Sequence, residues 1–204
     1  MIQIFPCGPF MVSSASEPGV HLRVDGFPAP LLGGPFPNRL QPDWFVLRQA
    51  GIRHLVCLAS TQPELRYDPY LAGLTWLAKE DMPELADLME PSGPEGILQR
   101  DLRVDHDDEA YKARSEAREK LRQIARNMLA ALWRGEGVFV HCEYGVERTG
   151  ALLALVLALG GVDKEVVTRS IARGLSPQSN RSNDLKERLE NVLTAMFNDF
   201  EFLE

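Results

Sequence analysis

Val138-Phe139-Val140-His141-Cys142-Glu143-Tyr144-Gly145-Val146-Glu147-Arg148-Thr149-Gly150 decides how this chain folds and what it does. Three β-forming apolar residues open the stretch and an apolar run follows it, which predicts a strand, a loop and the start of a helix. Cys142 then stands at the C-terminal end of a buried strand, where open α/β sheets place their ligands. The loop from Glu143 through Tyr144, Gly145, Val146 and Glu147 can turn its backbone N–H groups inward, and the helix start adds partial positive charge. An anion with several oxygens is the ligand such a cradle suits.

The same field stabilises negative charge on the Cys142 sulfur and makes it a nucleophile. Arg148 presents a planar fork that holds two phosphate oxygens, which a lysine cannot copy. Thr149 is placed to donate a hydrogen bond to the sulfur and ease its departure. His141 is expected to point inward and brace the loop through hydrogen bonds. Arg148 and the backbone supply the positive charge that a metal would otherwise provide, so neither a metal nor a cofactor is expected.

Outward from this stretch, the pattern is alternating strands and helices. Upstream, Leu121, Ile124, Ala125, Met128, Leu129 and Leu132 fall on one helical face, with Lys112, Arg114, Arg118, Lys120, Arg122 and Arg126 on a solvated one. Gly135-Glu136-Gly137 ends that helix. Downstream, Gly150–Leu159 is apolar on every side, the mark of a helix buried in the centre of the fold. Asp163 caps a further helix ending at Gly174, and Ser182 or Asn183 caps the last one. Near the N-terminus, short strands are expected at Val20–Val24 and around Leu31–Leu32. A helix opened by Pro42 and Asp43 and closed by Gly51 comes next, then a buried strand over Ile52–Ala59. Helical pieces are expected at Pro69–Lys79 and Pro83–Met89, and a strand at Ile97–Val104. The fold class is therefore α/β, a mostly parallel sheet of four to five strands with helices on both faces. The 204 residues form one domain, with 1–30 a loop-rich lead-in and 60–99 an insertion.

Composition sets the boundaries. With 45% hydrophobic and 25% charged residues the chain can bury a sizeable core. Its 22 basic and 29 acidic residues give a net charge of −7, which disfavours nucleic acid and anionic membranes as partners. The longest apolar run, Ala151–Val162, is too short to span a bilayer. Three cysteines without zinc-like spacing fit a reducing cytoplasm. Oligomeric state is not encoded in any pattern of this kind.

The arrangement His141-Cys142-x-x-Gly145-x-x-Arg148-Thr149 resembles the signature of the cysteine-dependent protein tyrosine phosphatase superfamily. By composition alone, five such fixed residues arise in roughly one chain of this length in 100,000. Leu31-Leu32-Gly33-Gly34, Leu40, and Ala50-Gly51-Ile52 leading into Leu55–Leu58 are similar to the compact dual-specificity branch, and matching segments cover about Leu31–Ala59 and Leu98–Gly174. The resemblance implies hydrolysis of phosphomonoesters on protein through a phospho-cysteine. An aspartic acid on the loop after the preceding strand would protonate the leaving oxygen and then activate water. That place is Asp105-His106-Asp107-Asp108. Asp108, 34 residues before Cys142, is the first choice, Asp107 the second and Asp105 the third. Mutual repulsion among these carboxyls and Glu109 favours keeping one protonated, while any of them can equally serve as an acidic helix cap.

Glu147 is a rival acid, more readily read as a salt-bridge partner, and the absence of lysine between Cys142 and Arg148 disfavours phosphoinositides. Cys57, on the neighbouring strand, is in range of a protective disulfide with Cys142, although a small buried hydrophobe is the simpler role. Gln178, Asn180 and Arg181 border the pocket or form a plain surface loop. Other substrates open to the same fold are RNA 5′-phosphates, inositol polyphosphates and other small esters. An inactive phosphate-binding module is a further alternative. Sulfur transfer and arsenate reduction fit less well, since the first does not require His141 and Thr149 and the second calls for resolving thiols.

Overall fold

A computed structural model describes residues 3–7, 21–35, 44–59, 69–80, 108–142, 145–175 and the helical positions 190, 191, 193, 194, 196 and 197. The elements in chain order are β1 (Gln3–Cys7), β2 (His21–Asp25), β3 (Leu31–Pro35), α1 (Trp44–Gln49), β4 (Ile52–Cys57), a 3-10 turn (Pro69–Ala72) and β5 (Thr75–Lys79). After these come α2 (Asp108–Trp133), β6 (Gly137–Cys142), α3 (Glu147–Leu159) and α4 (Lys164–Leu175). The strands form one sheet in the order β1-β2-β3-β6-β4-β5.

The ladders β3·β6, β6·β4 and β4·β5 are parallel, whereas β1·β2 and β2·β3 are antiparallel. The mostly parallel sheet expected from the alternation of elements is therefore present, with six described strands where four to five were expected. Two of the six were not expected as strands: β5, discussed below, and β1, inside the proline-rich lead-in. Pro6 is tolerated there because β1 is, among the described residues, an edge strand paired only with β2, so one edge of its backbone needs no N–H donor.

A second difference concerns Pro69–Lys79, where a helix was expected. The chain instead makes one short turn and then a strand that pairs with β4 from His54↔Thr75 to Cys57↔Lys79. Thr75 and Trp76 are β-formers, and the available edge of β4 overrides a helical pattern too short to stand alone. The expected helix at Pro83–Met89, strand at Ile97–Val104, and cap at Ser182 or Asn183 lie outside the described residues.

Strand alternation divides the core in two. On one face Val138, Val140, Val56 and Leu58 pack with Ile124, Met128 and Leu132 of α2, with α3, and with Val167 and Ile171 of α4. Helix α3 is buried from Thr149 to Val156 and on to Leu157, as its uniformly apolar sequence requires. Gly33 of β3 lets it approach the sheet, since a Cβ there would lie 2.6 Å from Leu153 Cδ1. The opposite face is smaller and aromatic: Trp44 and Leu47 of α1 meet Leu55, Phe139 and Trp76. Asp163 caps α4 as expected, its Oδ1 accepting from the N–H groups of Glu165 (3.0 Å) and Val166 (3.1 Å). Among the described residues no helix is long and apolar enough to cross a membrane.

Candidate active site

Two neighbours in the parallel sheet build the site, because β6 delivers Cys142 beside Pro35 of β3 and His141 beside both Gly34 of β3 and Cys57 of β4. The chain leaving β6 turns back over the end of β3. Gly145 carries this turn at φ +74, and a Cβ on it would run into the backbone of Gly34 and Pro35. Only glycine meets both conditions, which gives the glycine of the motif a physical reason.

The same residue donates its N–H to Cys142 Sγ at 3.2 Å. The loop then enters α3 without a side-chain cap: Val146 makes no capping hydrogen bond, and the helix closes through Gly150 N–H to Val146 O at 2.8 Å. An uncapped helix start next to a buried cysteine leaves N–H dipoles available for a multi-oxygen anion.

Arg148 stands in the first turn of α3, and its Nη1 donates to Leu58 O at 2.9 Å. Leu58 follows β4 directly, and its own N–H donates to His141 O at 2.9 Å. The end of β4 thus links the strand that carries the cysteine to the Arg148 guanidinium. His141 is fully buried, and burial pushes its imidazole down to about 3, so the ring is neutral at physiological pH. Its ring stacks on Phe139 (5.6 Å, 28°) and meets Trp76 edge-on (6.2 Å, 61°). Among the described residues the ring is held by these aromatic contacts and not by the side-chain hydrogen bonds that were expected of it.

One further expectation requires correction, and the role of Cys57 becomes clear. Thr149 is buried, yet among the described residues its Oγ1 has no hydrogen-bond partner, and the sulfur takes its hydrogen bond from Gly145 N–H instead. The anticipated Thr149-to-sulfur bond is not formed in this state. Cys57 and Cys142 are both free and buried. In register with His141, Cys57 shares its face and packs with Ala59 and Trp76, whereas Cys142 lies in the aliphatic core on the other side. Strand alternation turns the two thiols toward opposite faces of the sheet, and the packing of Cys57 against Ala59 and Trp76 is that of the small buried hydrophobe read from the sequence. Burial raises the Cys57 thiol above its ordinary value, against the opposing pull of the Ala59 backbone and Lys79.

Of the other sequence candidates, Gly145, Val146, Glu147 and Arg148 come together at the loop, while Glu143, Tyr144, Asp105, Asp107 and the loop of Gln178, Asn180 and Arg181 lie outside the described residues. Asp108 is the first residue of α2. Sequence reasoning missed Leu58, as an anchor, and Trp76, whose strand it had assigned to a helix. The polar group of Thr75, His54, Glu136 and Arg134 lies at the opposite, N-terminal ends of the strands (His54 Nδ1 to Thr75 Oγ1, 2.8 Å; Nε2 to Glu136 Oε2, 3.2 Å).

A buried cysteine at a strand end, a glycine-turned loop and an arginine on an uncapped helix define a cysteine-based phosphatase. The chain belongs to the tyrosine phosphatase family, whose model matches residues 38–195. Among solved structures it is similar to TpbA of P. aeruginosa, with 18% identity over 86% of this chain and 89% of that one and a TM-score of 0.49. Tk-PTP in its active form is 16% identical over 82% and 93%, with a TM-score of 0.47. PTPMT1 in complex with PI(5)P is 19% identical over 81% and 92%, with a TM-score of 0.41. No curated protein is significantly similar to the chain.

Proposed function

We propose that this phosphatase acts on phosphorylated protein side chains, phosphotyrosine and/or phosphoserine and phosphothreonine, through a phospho-cysteine at Cys142. The observation that carries the reading is the Gly145 N–H donated to Cys142 Sγ inside a loop that ends at the uncapped start of α3. In the first step the sulfur attacks phosphorus, the bond to the leaving oxygen breaks, and a carboxylic acid gives that oxygen its proton. In the second, the carboxylate takes a proton from water, the water oxygen bonds to phosphorus, and the S–P bond breaks to release inorganic phosphate and the thiolate. Arg148 and the loop N–H groups hold the equatorial oxygens throughout.

The acid comes from the chain between β5 and α2. β5 runs parallel to β4 and ends at Lys79, two residues before Asp81. Asp81 therefore joins Asp108, Asp107 and Asp105 as a candidate, with Glu147 the rival on the loop itself. The absence of lysine between Cys142 and Arg148 favours singly phosphorylated substrates over phosphoinositides and inositol polyphosphates.

The test is hydrolysis of an aryl phosphate without added metal, comparing wild type with Cys142→Ser, Asp108→Asn, Asp107→Asn, Asp81→Asn and Glu147→Gln. Cys142→Ser is expected to remove turnover by about 10³-fold or more, and the carboxyl variant with the largest loss identifies the acid. Phosphotyrosine and phosphoserine peptides are then compared with a phosphoinositide and an RNA 5′-phosphate. Preference for either of the latter two overturns the protein-substrate assignment, and folded wild type without turnover overturns the enzyme reading.

A further inference from the structure

Trp76 sits on β5, two strands away from the catalytic strand, yet its indole reaches across β4 to the ring of His141. On the way it covers Cys57 and Ala59, the residues that flank Leu58. The indole is itself held from two sides, by Trp44 edge-on at 6.4 Å and 82° and by Lys79 Nζ at 5.7 Å from the ring centroid. His141 is thereby confined between Phe139 on its own strand and Trp76 from the sheet edge.

Two backbone links connect this packing to the chemistry. His141 O receives Leu58 N–H, and Leu58 O receives Arg148 Nη1. The strand end bearing Cys142 and the acceptor that orients Arg148 thus lie under one aromatic ring. A side chain in this position controls the relative placement of sulfur and guanidinium without touching either.

We propose that Trp76 is a positioning residue for the phosphate-binding loop, clamping His141 and the end of β4 so that Cys142 and Arg148 keep the spacing that phosphoryl transfer needs. The role rests on the phosphatase reading of the site. It belongs to this chain's own β5 and not to the His-Cys-x-x-Gly-x-x-Arg-Thr segment. Misplacing reacting groups by a fraction of an ångström lowers the chemical step more than it lowers ground-state binding.

The experiment measures kcat and KM for an aryl phosphate, and the rate of Cys142 alkylation by iodoacetate with and without inorganic phosphate, with the alkylated residue identified by mass. Trp76→Leu is expected to lower kcat about tenfold per folded molecule with KM within about twofold, and to slow alkylation of Cys142. Trp76→Phe, which keeps a ring edge toward His141, is expected to lose less than about threefold. Trp76→Met, close in volume but without a ring, carries the same expectation as Trp76→Leu if the latter does not fold. Phe45→Ala, an exposed aromatic on α1, serves as the control and changes nothing. Wild-type kcat and alkylation rate in Trp76→Leu or Trp76→Met overturn the proposal, as does a rise in KM alone. Alkylation needs no turnover, so it tests the clamp even if wild type proves inactive and the phosphatase reading falls.

Discussion

The two faces of the sheet are covered by different chemistry. On the side of α2, α3 and α4 the core is aliphatic and deep, with Val138, Val140, Leu152, Leu153, Leu155 and Met128 all at 0% exposure. On the side of α1 the core is smaller and carries a chain of rings, Trp44 to Trp76 to His141 to Phe139, among Leu47, Ile52, Leu55 and Leu74. The first face carries the weight of the fold, because each fully buried aliphatic side chain contributes about 1.5–3 kcal/mol. The second face lies directly behind the cysteine loop and sets its geometry. Stability and catalytic geometry are therefore separable here by substitution.

The sharpest break comes where the two faces meet, at Gly145. Gly145→Ala adds a Cβ against the backbone of Gly34 and Pro35 at positive φ, a clash no side-chain movement relieves. A loss of more than about 4 kcal/mol is expected, together with all turnover, measured by urea unfolding and aryl phosphate hydrolysis.

His141 comes next and marks the aromatic face. Its folded-state value of about 3 lies below the ordinary 6.5, so the unfolded chain binds the extra proton between these limits. Its contribution is complete above pH 6.5 and is lost as pH falls toward 3, a change on the order of 5 kcal/mol over the window. His141→Phe should flatten that part of the stability–pH curve, read by denaturation at a series of pH values.

Met128→Ala probes the aliphatic face. A loss of about 3 kcal/mol is expected from the cavity it leaves, with activity per folded molecule unchanged. A fall in specific activity as large as that of Trp76→Leu would erase the distinction between the faces. The smallest effect is at the periphery: Asp163→Ala removes two hydrogen bonds to the first turn of α4 and should cost about 1 kcal/mol with no effect on turnover.

The aliphatic face was largely legible in the sequence because its signals are strong and local. The stripe from Leu121 to Leu132, the all-apolar Gly150–Leu159 and the Asp163 cap each depend on residues within a few turns of one another. The cysteine loop was legible for the same reason, with five fixed residues spanning a few positions. What escaped depends on pairing between distant segments. Thr75–Lys79 becomes a strand only because β4 offers an edge, and Gln3–Cys7 only because β2 does. With β5 read as a helix, Trp76 had no route to His141. The Thr149 bond was inferred from closeness in sequence to Cys142, whereas the sulfur takes its hydrogen bond from Gly145 N–H.

The most direct test of the account is acid quench of the protein during turnover of an aryl phosphate, followed by mass analysis of the peptide bearing Cys142. A phosphoryl adduct on Cys142 is expected to appear within the first turnover and to accumulate when the true acid is changed to its amide and a substrate with a good leaving group is used. Phosphate release with no adduct on Cys142, or with the adduct on another side chain, would contradict it.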